Sequence, residues 1–392
     1  MAAFFTRYLL LALLGLVLQL PAGAATKTVR RLVAPGLEYI HERQADGPRS
    51  IHIIKVDLAR EDLRLVISLA NDVVLGREKV REQAARLPPS LGRPMAAVNG
   101  DYCETGKAGE PRYEGTLEGL HIGRGELVHG PGGNALWIDA AGRPRLTNGV
   151  RSRFSLTWPG GTPVAFALNS STTAHKSEVS AADVVLYTPT FGDSTRTDSG
   201  LELVLMPARG SAWLPVRPGG SYTGIVHALS RRGNTPIRPG TVVVAVVTNV
   251  AAKLPPIQPG DQVAFATATE PDFAGIEEAI GAGPILLLGG QLPPGGLDRQ
   301  HRAPRTAIGF NATNLFLVVV DGRQPWRSIG MSHGELAEQM QRLGCTDALN
   351  MDGGGSSTLW LDGAVVNVPS SWRGERAVGN AVVIVRKNET PR

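Results

Sequence analysis

Several features that would place a chain quickly in a functional class are missing from these 392 residues. The sequence has no P-loop, no dinucleotide-binding fingerprint and no nucleophile elbow. Its eight histidines form neither an H-x-H pair nor an H-E-x-x-H motif, so we expect no dedicated zinc site. Lysine and arginine are scattered, the formal charge is only +5, and no basic stripe alternates with aromatic residues. We therefore expect no nucleic-acid partner.

Cysteine is also scarce. Only Cys103 and Cys345 are present, and two cysteines do not make the disulfide framework of a small secreted domain. They either pair in a single bridge or are both buried thiols, and the sequence alone does not place them in space.

Long apolar runs are absent after residue 20. At the N-terminus, Arg7 is followed by the apolar run 8–20 and by small residues that suit cleavage near Ala24. This pattern predicts a signal peptide over residues 1–24 and a secreted or periplasmic mature chain over 25–392, with no stable membrane span after processing. The alternative is an uncleaved membrane anchor, although the run is shorter than the roughly 20 residues that a span needs.

The sequence is rich in glycine and proline, with 47 and 28 residues, which is typical of many strands joined by turns. Two segments, 77–87 and 332–344, predict helices, and in the second Ser332 and Glu335 form a capping box. The predicted strands are apolar runs bounded by Gly, Pro or Asp: 51–58, 63–68, 134–139, 162–169, 183–189, 201–207, 241–250, 262–269, 283–290, 314–322 and 381–387.

A helix, a strand and an acid–glycine turn occur in this order twice. The first helix and strand end in "NGDY" (99–102), and the second end in "NMDGGG" (350–355). This echo predicts two halves of one α+β domain that meet at a shared site. Residues 141–240 would then be an insertion of strands and loops, and 25–392 would form one continuous domain.

The stretch "DGGGSS" (352–357) is the most unusual in the sequence. Asp-Gly is the commonest turn pair, and it explains Asp362-Gly363 and, taken alone, Asp321-Gly322. A turn does not need three glycines followed by two small hydroxyl residues. Consecutive glycines can point backbone N–H groups into one concave space, which suits an anion such as a phosphate, with Asp352 at its edge as acid, base, nucleophile or cation ligand.

Several segments together resemble the phosphodiester glycosidase family. The most specific is the stretch 330–370 around "MDGGGSSTLWLDG"; others are "RTAIGF" (305–310), "LVVVDGR" (317–323) and "ERAVGNAVVIV" (375–385). The resemblance extends from about residue 50 to 387. It implies an α+β fold, strand-rich with mixed sheets and a few helices, and hydrolysis of a sugar 1-phosphodiester. It also implies bacterial relatives of unknown substrate, some linked to exopolysaccharide.

The chain departs from the family pattern at two positions. Cys103 stands where the family usually has Phe, and Cys345 stands where it usually has a small residue. Because both unusual residues are cysteines, the comparison mildly favours a disulfide between them.

The residues and the resemblance agree on a polar pocket lined by acids and glycines. The catalytic candidates are Asp352, Asp321 and Asp101, and Asp101 is also suited to orient sugar hydroxyls or water. The substrate-binding candidates are Asn99 and Asn350 for hydroxyls or water, Arg305 for the phosphate, and Gly353, Gly354, Gly355, Ser356 and Ser357 as donors. Glu202, Glu375 and Arg376 are reserves.

We predict an exported glycosidase, a hydrolase that cleaves the glycosidic bond of a sugar 1-phosphodiester or related glycan. A phosphate ester leaves well, so the site must mainly stabilise an oxocarbenium-like state and activate water or a nucleophile. An alternative is a non-catalytic exported protein that binds polysaccharide or cell-wall glycan in the same pocket. A third is a structural divalent cation held by Asp101, Asp321 or Asp352, without turnover; no other cofactor is expected.

Overall fold

The structure is a computed structural model that describes residues 26–45, 47–105, 111–174, 181–208 and 213–388. The predicted signal peptide, residues 1–24, lies outside the described residues. No helix in the described ranges is long and apolar enough to cross a membrane.

Strands dominate the described ranges, with three α-helices and four 3-10 helices. The first strands are β1 (Lys27–Ala34), β2 (Leu37–Gln44), β3 (Arg49–Asp57), β4 (Leu63–Leu69), β5 (Arg93–Asn99), β6 (His121–Gly123), β7 (Glu126–His129), β8 (Gly133–Ile138), β9 (Pro144–Thr157), β10 (Val164–Ala165), β11 (Ala167–Leu168), β12 (Ser171–Thr172) and β13 (Ala181–Ala182). The remaining strands are β14 (Val184–Tyr187), β15 (Leu201–Pro207), β16 (Ser221–Ser230), β17 (Val242–Val246), β18 (Gln262–Glu270), β19 (Ala279–Ala282), β20 (Ile285–Leu287), β21 (Arg305–Phe310), β22 (Asn314–Val320), β23 (Asp347–Asn350), β24 (Leu359–Leu361), β25 (Ala364–Val365) and β26 (Asn380–Arg386). The helices are α1 (Val80–Arg86), α2 (Thr248–Ala251) and α3 (His333–Arg342), and the 3-10 helices are Ala70–Asp72, Pro89–Leu91, Pro111–Tyr113 and Gly354–Ser356.

Two antiparallel sheets carry the site. One has the strand order β1-β2-β3-β22-β21-β23-β20, and the other has the order β25-β24-β5-β26-β4. Their inner faces share one core, in which Ile54 and Leu317 of the first sheet pack in the same cluster as Val98 and Ile384 of the second. Each of these side chains is at most 1% exposed. Burial on both sides explains why the strands are nearly continuous apolar runs.

A larger sheet is built from the segment between β5 and β20. Its order is β11-β14-β17-β15-β16-β18-β9-β8-β19-β6-β7, with β10 on β9. It is mixed, because β11 and β14 run parallel whereas its other strand pairs are antiparallel. The predicted insertion 141–240 contributes β9 to β11 and β14 to β16 to this sheet, whereas its strands β12 and β13 form a separate two-stranded sheet. The prediction of a strand-rich fold with mixed sheets and few helices is confirmed, and the α+β class and the single domain stay predictions.

Both predicted helices are present but shorter than their sequence patterns. The capping box at α3 has the expected geometry: the Glu335 N–H donates to the Ser332 hydroxyl at 3.2 Å, and the Ser332 N–H donates to the Glu335 carboxylate at 2.9 Å. Leu336 and Met340 on its inner face join the core beside β20 to β22. The helix therefore fixes the loop before it, which carries part of the site.

The two cysteines are free thiols. Cys103 packs beside the core cluster of β14 and β17, and Cys345 lies in the cluster under α3, so they occupy different parts of the fold. The disulfide favoured by the family comparison is wrong. Burial raises the pKa of each thiol to about 12, so neither is a reactive thiolate at neutral pH.

Candidate active site

The two acid–glycine turns meet directly. β5 leads into Gly100, whose carbonyl accepts the N–H of Asp352 at 2.9 Å, just beyond the end of β23. The Asn99 amide donates to the Asp352 carbonyl at 2.7 Å, and its oxygen accepts from the Thr306 hydroxyl at 2.8 Å and the Thr358 N–H at 3.1 Å. The two turns therefore meet, as the helix–strand–turn echo predicted, and their role as a shared functional site stays a prediction. Asn99 is fully buried and joins the strands that build the site, so its amide does not face a sugar.

The Asp352 carboxylate is held from three directions. Its Oδ1 accepts the Gly353 N–H at 2.7 Å, and its Oδ2 accepts from the Ser356 hydroxyl and lies 3.3 Å from the Arg376 guanidinium. Burial raises the pKa of Asp352, and these donors act against that rise. The side chain keeps 15% of its surface exposed, so a substrate can reach it.

Three arginines converge on the three glycines. A Cβ added at Gly353 would lie 3.9 Å from Arg305 Cδ and 2.9 Å from the Pro304 carbonyl. At Gly354 it would lie 3.1 Å from the Arg323 guanidinium, and at Gly355 it would lie 3.4 Å from that of Arg376. Gly354 also has φ +61°, which favours glycine. A side chain at Gly354 would press on the Arg323 guanidinium, and one at Gly353 would press on the Pro304 carbonyl, which gives these two glycines a physical reason.

The expected nest of free N–H groups is not what the loop provides. The Gly353 N–H bonds the Asp352 carboxylate, and the Gly354 N–H bonds the Pro304 carbonyl at 2.9 Å. The N–H groups of Ser356 and Ser357 bond back into the loop at 3.2 and 3.3 Å. The glycines thus make room for cations rather than supply most of the donors themselves. The Ser357 hydroxyl is buried and has no hydrogen-bond partner among the described residues.

Arg305 is a buried cation without a carboxylate in its hydrogen-bond set. Its guanidinium donates to the carbonyls of Met331 and His301, both at 2.9 Å, and to the ring Nε2 of His333 at 2.8 Å. Burial lowers the pKa of Arg305, and burial followed by the Arg305 charge lowers the pKa of His333 to about 4, so the imidazole is a neutral acceptor. A buried guanidinium held only by neutral acceptors is an environment that a bound anion would stabilise.

Arg323 differs from its neighbours because it is exposed and has no hydrogen bond or ion pair to another described residue. Its backbone has φ +59°, an uncommon value for a non-glycine residue. That conformation belongs to the Asp321-Gly322-Arg323 turn and sends the side chain over Gly354. Arg323 is therefore available to contact a ligand above the glycine loop.

A cleft of about 240 Å³ opens next to the Asp101 turn, and two of its lining residues, Tyr102 and Glu118, are close enough to Asp352 for its charge to raise their pKa. Its lining includes Tyr102, whose hydroxyl accepts the Asn350 amide at 2.9 Å, and the half-buried Asn134. Burial and the Asp352 charge raise the pKa of Tyr102 to about 12, so its hydroxyl keeps the proton that it donates to the Gly283 carbonyl at 3.3 Å. Asn350 is itself fully buried and also bonds the Gly283 carbonyl at 3.0 Å, so it positions Tyr102 rather than a substrate.

Glu118 brings a second carboxylate to this cleft. It is exposed, and partial burial together with the Asp352 charge raises its pKa. Asp101 lies beneath the same cleft, 1% exposed, where its carboxylate accepts the N–H groups of Gly119 at 2.5 Å and Tyr102 at 2.8 Å. Burial raises the pKa of Asp101 well above its usual value. Asp101 therefore shapes the cleft wall, and Glu118 is the better placed group to meet a substrate.

Asp321 takes no part in this surface, contrary to its prediction as a catalytic acid. Its side chain has no exposed area and accepts from the Val368 N–H at 2.9 Å, Asn367 at 3.2 Å, His52 at 3.3 Å and Arg327 at 3.4 Å. Burial raises its pKa, but the hydrogen bond and charge of His52 and the other donors outweigh that effect and leave the pKa below its usual value. The carboxylate therefore anchors the fold.

The three acids considered as cation ligands belong to separate hydrogen-bond networks. Among the described residues no group of three or more His, Cys, Asp or Glu side chains is arranged to hold a metal ion. Asp101 bonds backbone amides, and Asp321 is enclosed by His52, Arg327 and Asn367. The described site gives the cation alternative no support.

Of the three reserve residues, only Arg376 contacts Asp352; Glu202 and Glu375 bond other parts of the fold. Glu202 is fully buried among the hydroxyls of Thr195, Thr197 and Thr235 in the large sheet, so it is structural. Glu375 accepts the Arg81 N–H at 3.0 Å and does not bond Asp352. Arg376, in contrast, becomes a central residue of the site.

The segment that carries most of this site is similar to a known protein family. Residues 216–385 match the phosphodiester glycosidase family model. The resemblance predicted from the sequence motifs is confirmed. The matched segment contains Asp352 and the three arginines, whereas Tyr102 and Glu118 lie before it.

Individual relatives agree with that match but are distant or partial. The bovine (Bos taurus) N-acetylglucosamine-1-phosphodiester alpha-N-acetylglucosaminidase is 36% identical over 87 residues, which cover 20% of this chain and only 16% of the bovine protein. A solved protein from Synechocystis has a TM-score of 0.71 at 21% identity, covering 92% of this chain and 64% of that one. One from Burkholderia pseudomallei K96243 has a TM-score of 0.65 at 23% identity, covering 86% and 74%. These two structures share the fold.

Proposed function

We propose that the chain is an exported hydrolase that cleaves the glycosidic bond of a sugar 1-phosphodiester. One observation carries the proposal: Asp352 stands at the edge of a loop whose three glycines each face an arginine. Three guanidiniums around one loop suit a phosphodiester, because a planar guanidinium can donate two bonds to paired oxygens. The match of 216–385 to the phosphodiester glycosidases supports the same chemistry.

The phosphate would lie above Gly353–Gly355, between the buried Arg305 and the exposed Arg323. Arg376, 3.3 Å from Asp352, would separate that carboxylate from the phosphate and reduce the repulsion between the two anions. The arginines would also stabilise the charge that develops on the phosphate as it leaves. This is electrostatic stabilisation from groups that are already in position.

The sugar would occupy the adjoining cleft, where Tyr102 and Asn134 offer hydrogen bonds to hydroxyls. The bond between C1 and the bridging oxygen breaks, and that oxygen and its electron pair remain with the phosphate monoester. Positive charge develops at C1 and is stabilised by the Asp352 carboxylate. Water then supplies the new oxygen at C1 and loses a proton, with Glu118 as the accepting base.

The test is incubation of the purified mature chain with a panel of sugar 1-phosphodiesters, beginning with methyl esters of N-acetylglucosamine, glucose and mannose 1-phosphates. Release of free sugar and a phosphate monoester supports the proposal, and loss of that release in Asp352→Asn links it to this site. Binding of panel members without product would favour the alternative of a non-catalytic glycan-binding protein.

Export is part of the proposal and rests on the N-terminal pattern alone. An intact-mass measurement on protein from the medium or periplasm should give a chain that begins near Ala25. A mass that retains residues 1–20 would favour the membrane anchor.

A further inference from the structure

Arg305 uses every nitrogen of its guanidinium to reach neutral acceptors, yet part of the group stays unused. Nε donates to the Met331 carbonyl and Nη2 to the His301 carbonyl, both at 2.9 Å, and Nη1 donates to Nε2 of the His333 ring at 2.8 Å. A guanidinium has five N–H donors, one on Nε and two on each terminal nitrogen. Within the described part of the chain, no acceptor is paired with the second N–H of Nη1 or of Nη2. These two donors remain for a ligand.

His333 supplies the only side chain among these three acceptors. The two carbonyls hold Nε and Nη2, so the imidazole is the group that fixes the position of Nη1. Nη1 is also the terminal nitrogen beside the glycine loop, 4.0 Å from the place that a Cβ at Gly353 would take. The His333 ring therefore holds the corner of the guanidinium that lies nearest to the proposed phosphate.

The ring itself is carried by an anchored helix. His333 is the first residue of α3 and comes directly after Ser332, whose hydroxyl accepts the Glu335 N–H at 3.2 Å. The next residue on the helix, Leu336, is fully buried in the core. A group on an anchored helix places its partner more precisely than a group on a loop. The half-buried imidazole is therefore presented to Arg305 in a fixed position.

His333 bonds Arg305 without neutralising it. Burial, followed by the Arg305 charge, lowers the pKa of His333 to about 4, so the ring carries no charge at neutral pH. Its Nε2 lone pair accepts the Arg305 N–H, so the ring is not free to act as a base. The same turn of α3 holds another arginine differently, because the Glu335 carboxylate lies 2.6 Å from Arg302. Arg302 is paired with an acid, whereas Arg305 keeps its charge for an anion.

We propose that His333 is a positioning residue, which orients Arg305 toward a phosphate oxygen while leaving the positive charge of the guanidinium to the ligand. The inference rests on the proposed function for the phosphate as the occupant of the glycine loop. It adds a residue outside the acids, glycines and arginines of the site that determines how tightly this phosphate is bound. His333 acts through Arg305 and does not touch the bond that breaks.

The test measures binding of methyl phosphate, a phosphate monoester, so it does not depend on turnover. Calorimetry at neutral pH compares the full mature chain with its His333→Gln and His333→Asn variants, and urea unfolding checks that each is folded. A glutamine oxygen reaches about as far from the backbone as the ring Nε2, whereas an asparagine oxygen reaches only about as far as Nδ1. We expect His333→Gln to keep the wild-type affinity and His333→Asn to weaken it about tenfold, in line with the loss of a hydrogen bond to a charged group.

His333→Glu separates the position of Arg305 from its charge. A carboxylate here would still hold Nη1 but would neutralise the guanidinium, so this variant should bind methyl phosphate at least about tenfold more weakly. It should nevertheless resist urea as well as the wild type does, because the new carboxylate is paired. The matched control is His301→Leu, which removes an exposed ring but keeps the backbone carbonyl that binds Arg305. Its affinity should equal that of the wild type.

Four results would overturn the role assigned to His333. They are equal affinities of His333→Gln and His333→Asn, a wild-type affinity in His333→Glu, a loss in His301→Leu as large as that in His333→Asn, and no binding of methyl phosphate by the wild type. Failure of the proposed function would look different. The wild type would then release no sugar from any 1-phosphodiester, while the order of affinities among the His333 variants would be unchanged.

Discussion

Two Asp-Gly pairs follow buried strands of one sheet, β22 and β23, which lie on either side of β21, and their acids have different surroundings. Asp321 follows β22 with no exposed side-chain surface and with donors from His52, Asn367, Val368 and Arg327 around it. Asp352 follows β23 with 15% of its side chain exposed. Both carboxylates accept protein hydrogen bonds, but only Asp352 keeps exposed surface, beside the Arg376 guanidinium.

The difference lies in the residues that come after each pair. After Asp321-Gly322 the chain turns at Arg323, whose side chain extends over the other loop. After Asp352-Gly353 come two more glycines, and the space that they leave admits the guanidiniums of Arg323 and Arg376. The Asp321-Gly322-Arg323 turn therefore supplies the Arg323 guanidinium. The 352–355 turn supplies the Asp352 carboxylate and leaves space for that guanidinium above Gly354.

The sharpest test of this contrast is Asp352→Asn. Asn keeps the shape but loses the charge that would stabilise C1, so we expect hydrolysis to fall at least about a thousandfold, or about 4 kcal/mol. The free energy of unfolding should change less than in Asp321→Asn, because the Asp352 side chain is partly exposed and burial already disfavours its charged form. Initial rates and denaturant unfolding of the same preparation measure both. Wild-type turnover in this variant would remove Asp352 from the mechanism.

Asp321→Asn should give the opposite pattern. An amide placed against Asn367, Arg327 and His52 replaces an acceptor by a donor, which costs about 1–3 kcal/mol of the free energy of unfolding. Folded protein should keep most of its activity, because Asp321 does not reach the cleft. Urea unfolding and active-site-normalised rates are the measurements. A stable but inactive Asp321→Asn would reverse the roles assigned to the two acids.

The two arginines of the 321–328 loop offer a matched pair. Arg323→Ala removes a guanidinium above Gly354, so KM for the phosphodiester should rise about tenfold, in line with the 1.5–3 kcal/mol of a hydrogen bond to a charged group. Arg327→Ala removes a partly exposed partner of Asp321 and should leave KM near the wild-type value. Steady-state kinetics compares them, and equal effects on KM would show that the loop responds as a whole.

Gly354 and Gly363 extend the comparison to the backbone. Both have positive φ, +61° and +98°, so alanine at either position should cost about 1 kcal/mol of stability. Only at Gly354 does the added Cβ approach Arg323, at 3.1 Å, whereas no atom lies within 4 Å of it at Gly363. Gly354→Ala should therefore also lower kcat/KM several-fold. If Gly363→Ala lowered activity as much, backbone strain alone would explain the loss.

The smallest expected effect is the pH dependence of stability. The folded-state pKa of Asp321 lies below its unfolded value of about 3.9, so the charged carboxylate stabilises the fold above that pH. This stability is lost as pH falls through the folded-state pKa. The difference in unfolding free energy between wild type and Asp321→Asn should be constant near neutral pH and shrink below about pH 4. A difference that grows on acidification would contradict the assigned shift.

The sequence predicted many of the strands, both main helices and the meeting of the two turns, because each leaves a local pattern. It missed β1, β2, β9 and β16, in which polar residues interrupt the apolar run. It also singled out Asp352, the glycine run and Arg305, which the structure brings together, and their roles stay predictions. Asn99 and Asn350 lie where expected but act on protein groups, since burial of their amides depends on strand pairing.

Other parts of the site left too little local signal. Glu118 and Arg323 were not assigned because their position beside Asp352 comes only from the packing of distant segments. Arg376 was kept in reserve because a surface ion pair was as plausible for it as a role in the site. Asp321 was overestimated because an Asp-Gly pair does not reveal the His52 beneath it.

The most direct test of the central claim is hydrolysis of a sugar 1-phosphodiester in ¹⁸O-labelled water, with early mass spectrometry of both products. Cleavage of the C1–O bond predicts one labelled oxygen on the sugar and an unlabelled phosphate monoester, with no turnover in Asp352→Asn. Label in the phosphate monoester would mean attack at phosphorus, and it would contradict the account of the site as a glycosidase.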